Sequence, residues 1–175
     1  MVQASPVIRD PTRRGLALAD FFLALEPRLH AELDEAGVLP GAGDPAHAAR
    51  ARAEWACFAL YACVRGLVAA GGFNRETATA IEALHERVLG AWRERGGDPA
   101  ADEARRRRVA ERYAEYGAIG QAGGAAGAPT VTRRLGEAAA RHIAEAGPDP
   151  ALVEIVGALH EALAEGAAES VRRGG

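Results

Sequence analysis

The chain has 175 residues, of which 49% are hydrophobic and only 5% aromatic, and much of the apolar share is alanine. Alanine favours helix and lacks the bulk to fill a β-sandwich, so the composition points to closely packed helices. A formal net charge of −3 and a pI near 6.0 exclude the basic surplus of a dedicated nucleic-acid or anionic-membrane binder.

Every basic residue apart from histidine is Arg, and no Lys occurs. The length suits one domain with a single core. Residues 1–10 read as a flexible N-terminus and 11–173 as a helical domain, with a Gly/Ala-rich connector at 117–129. The stretch from Met1 to Arg14 is polar and has no apolar core of a secretory leader. Cys57 and Cys63 lie six residues apart in one predicted helix, which separates them by about 9 Å along the axis and about 120° around it. That spacing fits neither a disulfide nor a metal pair, and buried reduced thiols in the cytosol are expected.

Four Asp-Pro pairs punctuate the chain: Asp10-Pro11, Asp44-Pro45, Asp98-Pro99 and Asp149-Pro150. Asp caps a helix well, and Pro suits the first helical position because its missing N–H would lack a partner there anyway. Asn74 and Thr130 can cap two more helices, which makes six helices and no strands. Helix 1 spans Pro11 to Ala36 on Leu18, Phe22, Leu25, Leu29 and Leu33, with Pro27 expected to kink or split it after Leu25. Helix 2 (Pro45 to Ala70) is apolar on most sides and therefore central. Its polar residues His47, Arg50, Glu54, Tyr61 and Arg65 fall on one narrow stripe.

Gly71-Gly72 turns the chain into helix 3, which starts at Phe73-Asn74 and runs to Arg95. Ile81, Leu84, Val88 and Trp92 form its apolar face, and His85 projects into it. Helices 2 and 3 make a central αα-hairpin. Helix 4 (Pro99 to Ile119) carries Val109, Tyr113 and Tyr116 together with the Arg105–Arg108 run. Helix 5 (Val131 to Ala146) uses Val131, Leu135, Ala139 and Ile143, and Gly147-Pro148 ends it. Helix 6 (Pro150 to Val171) uses Leu152, Val156, Leu159 and Leu163, and the four residues after it are expected to fray. The fold class is an all-α, single-domain bundle of about six helices.

From Trp55 to Gly72 only Arg65 is charged, a length that would span a bilayer. Ala, Gly and Cys make the segment weakly hydrophobic, and a central Arg costs about 3 kcal/mol on insertion. A buried core helix is expected, and no membrane partner.

Four constellations bear on chemistry. In an antiparallel hairpin, residues whose numbers sum to about 145 lie at one height, which sets His85 level with Tyr61. If the helix 2 stripe faces helix 3, then His85, Tyr61, Arg65 and Glu54 form a ligand-binding polar network. If the stripe faces water or another helix, His85 is a core histidine. A carboxylate-bridged metal site would need a second Glu-x-x-His to match Glu82-x-x-His85. His160 fails that test because Gly157 stands three residues before it, so Glu82 and His85 are weak metal candidates and no metal is expected. The Arg105–Arg108 run spreads around its helix and can pair at i, i+4 spacing, as Asp102 with Arg106, Glu103 with Arg107 and Arg107 with Glu111. Gly117-x-x-Gly120-x-x-Gly123 follows no strand and precedes no Lys-Ser/Thr, so it lacks the context of a phosphate cradle.

The sequence does not assign a function or a cofactor. Two classes stand: a non-catalytic cytosolic module that binds a small molecule or a partner helix, and a metal-dependent or acid/base enzyme with a site around His85. Because helix 2 is apolar nearly all round, a homodimer across helices 4 to 6 or helix 2 itself is expected to help cover it.

Overall fold

The computed structural model describes residues 9–41, 43–123, 127–145, 147 and 149–173. Among them the fold is all-α, with six helices and no strand: α1 (Pro11–Glu35), α2 (Pro45–Gly71), α3 (Arg75–Gly96), α4 (Pro99–Ala122), α5 (Ala128–Ala144) and α6 (Pro150–Arg173). Most of residues 1–10, part of 117–129 and the two C-terminal glycines lie outside the described residues.

The Asp-Pro pairs cap as their chemistry dictates. Asp10 Oδ1 accepts from Arg13 N–H at 3.1 Å, Asp44 from Ala46 and His47 at 3.0 and 3.2 Å, Asp98 from Ala100 at 3.0 Å, and Asp149 from Ala151 at 2.8 Å. Each bond satisfies an amide that the first helical turn leaves without a carbonyl. Asn74 caps α3 by accepting from Thr77 N–H at 2.9 Å.

Three features of α1 and α5 differ from expectation. α1 runs through Pro27 without a break, so the lost amide at residue 27 is tolerated inside a continuous helix. α5 starts at Ala128 behind Gly127, not at Val131 behind Thr130, because Pro129 fits its first turn. At its other end α5 stops at Ala144 rather than Ala146, with Glu145 as a left-handed cap at φ 58°. The Gly/Ala-rich stretch extends α4 to Ala122 at one end and begins α5 at the other, so helix occupies much of its described part.

The chain divides into two compact units. The first comprises Met1–Leu25, Ala62–Arg106 and Leu163–Gly175, and the second Glu26–Tyr61 and Arg107–Ala162. The boundaries fall within α1, α2, α4 and α6.

In the first unit, Leu18, Phe22, Leu67, Leu84, Val88 and Leu163 are buried. Phe22 meets Trp92 edge-on at 6.1 Å. Small residues bring the helices together. Gly66 of α2 lies so close to α6 that a Cβ there would come within 2.6 Å of the Ala164 carbonyl oxygen. Gly15 of α1 lies similarly against Ala80 and Ala83 of α3.

In the second unit, Trp55, Phe58, Leu60, Tyr116, Leu135, Ile143, Leu152, Val156 and His160 are buried. α5 and α6 approach closely at Gly136, whose Cβ would lie 2.8 Å from the Val153 carbonyl oxygen. α2 alone is long and apolar enough to cross a membrane among the described residues, and 61% of its most apolar window is buried inside the protein. That burial accounts for its composition as a core helix.

Candidate functional site

The polar stripe of α2 inside the second unit faces other helices. Glu54 is 4% exposed and is held by two arginines of α4. Arg112 grips the carboxylate with two bonds, Nε to Oε2 at 2.8 Å and Nη2 to Oε1 at 3.0 Å. Arg108 Nε donates to Oε1 at 3.0 Å. Both carboxylate oxygens are therefore engaged by guanidinium groups, in the two-pronged geometry that makes such bonds strong. The bond to Glu54 raises the Arg112 pKa further above its already high value. One turn back, Arg50 pairs with Glu145 at the end of α5, at 2.5 Å. The Arg105–Arg108 run is thus not all solvated. Arg105 and Arg106 pair with Asp102 as the helical spacing suggests, whereas Arg108 turns inward to Glu54.

Next to this ion triad lies an aromatic cluster. Tyr61 packs against Tyr113 at 5.0 Å and Tyr116 at 5.4 Å, and Phe58 against Tyr116 at 5.1 Å. The His160 ring stacks on Phe58 at 4.0 Å and 18°, and lies 6.0 Å from Tyr61. His160 Nδ1 is 3.1 Å from the Phe58 carbonyl oxygen. That bond assigns Nδ1 as the donor, because a carbonyl only accepts. Burial, then the neighbouring Cys57 and Glu54, push the Tyr116 hydroxyl well above its ordinary range. Its hydroxyl and the Trp55 indole N–H have no hydrogen-bond partner among the described residues. On the α4–α5 side, His142 Nε2 lies 2.6 Å from Glu115, which Arg141 also approaches at 3.5 Å.

The residues singled out in the sequence fall in both units. Glu54 and Tyr61 belong to the second, with the partners just given. His85 and Arg65 belong to the first, where both are half-buried. Burial pushes the His85 imidazole down to about 4, so it is neutral near pH 7. Glu82 is exposed, and among the described residues no three His, Cys, Asp or Glu side chains are grouped as metal ligands would be. Burial pushes both thiols, Cys57 and Cys63, up to about 12. They are protonated near neutrality and have little nucleophilic thiolate.

The residues missed in the sequence are Arg108, Arg112 and His160. His160 carried a readable signal: it sits four residues after Val156 and three before Leu163, on the buried stripe of α6.

What these groups do chemically is constrained by their bonds. The Glu54 carboxylate has both oxygens occupied by guanidinium groups of α4. A concave feature among the described residues of the second unit lies elsewhere, along the α5–α6 pair. It is a groove of about 640 Å³ lined by Pro129, Thr132, Val153, Gly157 and Ala158, with Arg133, Glu137 and Glu154 among its charged residues. Gly157, which lines the groove, also packs against Gly136, where α5 and α6 approach closely. Comparison with protein-family models, curated proteins and solved structures finds no match for this chain.

Proposed function

We propose that the protein is a non-catalytic, cytosolic binding and interaction module whose binding face is the α5–α6 groove. The observation that carries this reading is the groove's build. It is concave, walled mainly by apolar and small residues, and carries a few charged groups. Its volume of about 640 Å³ falls within the range of small-molecule sites. The polar cluster of α2 and α4 supports the same reading, because Glu54, Arg108 and Arg112 spend their bonds on each other and hold α2 to α4.

The test is binding of an apolar fluorescent probe, 1-anilinonaphthalene-8-sulfonate, to the native protein and to Ala158→Trp. Ala158 is exposed and lines the groove, so the substitution fills the groove without entering the core. The native protein should bind the probe, and the variant should bind it roughly tenfold more weakly or worse. Equal binding by the two, with circular dichroism showing both folded, overturns the assignment.

A further inference from the structure

The turn between α2 and α3 carries a side chain with no local role. Phe73 is 95% exposed, more than any other large apolar residue described. It directly precedes the Asn74 cap, a position where an apolar residue ordinarily folds back onto the first turn of its helix as a staple. At 95% exposure Phe73 makes no such staple, and Ala78, the residue it would cover, is exposed as well.

The turn itself is firmly held. Gly72 adopts φ 76°, Asn74 Nδ2 donates to the Gly71 carbonyl at 2.6 Å, and Asn74 Oδ1 accepts from Thr77. Phe73 is therefore presented by a rigid tip, which lowers the ordering cost of burying it against a partner. Two exposed charges follow it, Arg75 and Glu76.

The α5–α6 groove complements this tip. Its wall is apolar, and its charged residues are two carboxylates, Glu137 and Glu154, against one guanidinium, Arg133. Arg133 already pairs with Glu137 on its own helix at 3.5 Å. The groove thus has a carboxylate surplus that suits Arg75.

We propose that the groove receives the Phe73 tip of a second copy of this chain, with Phe73 against Val153, Gly157 and Ala158 and Arg75 beside Glu154. The proposal rests on the groove being the binding face, and it names the partner. Knob and groove are different surfaces, so the contact is heterologous. One aromatic anchor and a few charges make a weak association, with a dissociation constant on the order of 0.1–1 mM.

Sedimentation velocity of the full chain, from about 10 µM to about 1 mM, tests it. The weight-average mass should rise with concentration for the native protein and stay at the monomer value for Phe73→Ser and for Ala158→Trp. The decisive step mixes the two variants in equal amounts. Phe73→Ser keeps the groove and Ala158→Trp keeps the knob, so the mixture should form a 1:1 complex that neither variant forms alone. An independent pair reads the charges: Arg75→Glu should weaken association at least roughly tenfold, and Glu154→Arg in the same chain should restore it.

A native protein that stays monomeric throughout overturns the proposal, as does self-association that survives Phe73→Ser or a variant mixture that stays monomeric. The probe experiment separates the two levels. Probe binding lost in Ala158→Trp, with the native protein monomeric, keeps the groove as a binding face and removes the second copy as its occupant. Probe binding unchanged in that variant removes both.

Discussion

In the first unit the helices meet through small residues: Gly15 against Ala80 and Ala83, Gly66 against Ala164 and Ala167, with Phe22 on Trp92 as its one described ring pair. Of the described residues that are buried and polar or charged, only Thr77 belongs to this unit. The second unit is closed differently. Glu26, Glu54 and His160 are buried there, Arg52 pairs with Glu26, Arg108 and Arg112 pair with Glu54, and six of the seven described ring contacts involve its residues. The same alanine-rich composition thus supports two kinds of interior. Backbone proximity specifies one, and directional bonds that cannot shift register without leaving a charge unpaired specify the other.

Removing the central charge of the second interior should have the largest effect. Glu54→Gln keeps the shape and discards the charge, leaving Arg108 and Arg112 facing each other across an amide. Breaking one partner of a buried ion pair costs about 3–5 kcal/mol. Both arginines retain 20–29% side-chain exposure, which lets water recover part of this, so a loss of about 3 kcal/mol is expected in urea denaturation. A loss below about 1 kcal/mol would show that the triad does not pin α2 to α4.

His85 tests the first unit through pH. Its folded pKa of about 4 lies below the ordinary value of 6.5 because burial disfavours the charged ring. The unfolded chain therefore binds a proton that the folded chain refuses between those values. The stability from this site is complete above about pH 6.5 and falls as pH drops toward 4, by about 2–3 kcal/mol once partial exposure is allowed for. His85→Gln removes the titration. Stability of the native protein minus that of the variant, followed by denaturation from pH 7 to 4, should fall by this amount. A flat difference would place the imidazole in contact with water.

These two residues also show how far the sequence could be read. The helices and their caps were legible because an Asp-Pro pair acts on amides two or three residues away, and because apolar spacing such as Leu152, Val156 and Leu163 reports burial directly. His85 was legible in the same way, as a polar residue on an apolar face. The rule applied equally to His160, where attention to a metal motif obscured it. The partners of Glu54 were not legible. The helix 2 stripe was visible, but its direction depends on where α4 lies, and no local spacing encodes the position of Arg108 or Arg112 relative to a residue over fifty positions earlier. The switch from Thr130 to Gly127 as the cap of α5, and Glu145 in a left-handed cap, are likewise choices between neighbouring alternatives that packing decides. The α5–α6 groove had no sequence signal, since a concavity is made of what the neighbouring side chains leave uncovered.

The last test applies one substitution at two glycines of the first unit, where the expected signs are opposite. Both Gly66 and Gly90 are helical with ordinary φ values. Gly→Ala in a helix interior gains about 0.5–1 kcal/mol, from the smaller backbone entropy lost on folding and the better helix propensity. At Gly90 nothing lies within 4 Å of the new Cβ, so this gain should appear in full as a higher Tm. At Gly66 the same Cβ would sit 2.5 Å from the Ala167 Cβ, 2.6 Å from the Ala164 carbonyl oxygen and 2.9 Å from the Ala168 amide nitrogen. Two of these are backbone atoms and the third is bonded to backbone, so no side-chain rotation relieves the clash and α2 and α6 must separate. Overpacking of this kind costs about 1–3 kcal/mol, which exceeds the propensity gain and leaves a net loss of about 1–2 kcal/mol. If both alanines stabilise the protein, the seam between α2 and α6 gives way more easily than its geometry implies, and backbone proximity is not what specifies the first interior.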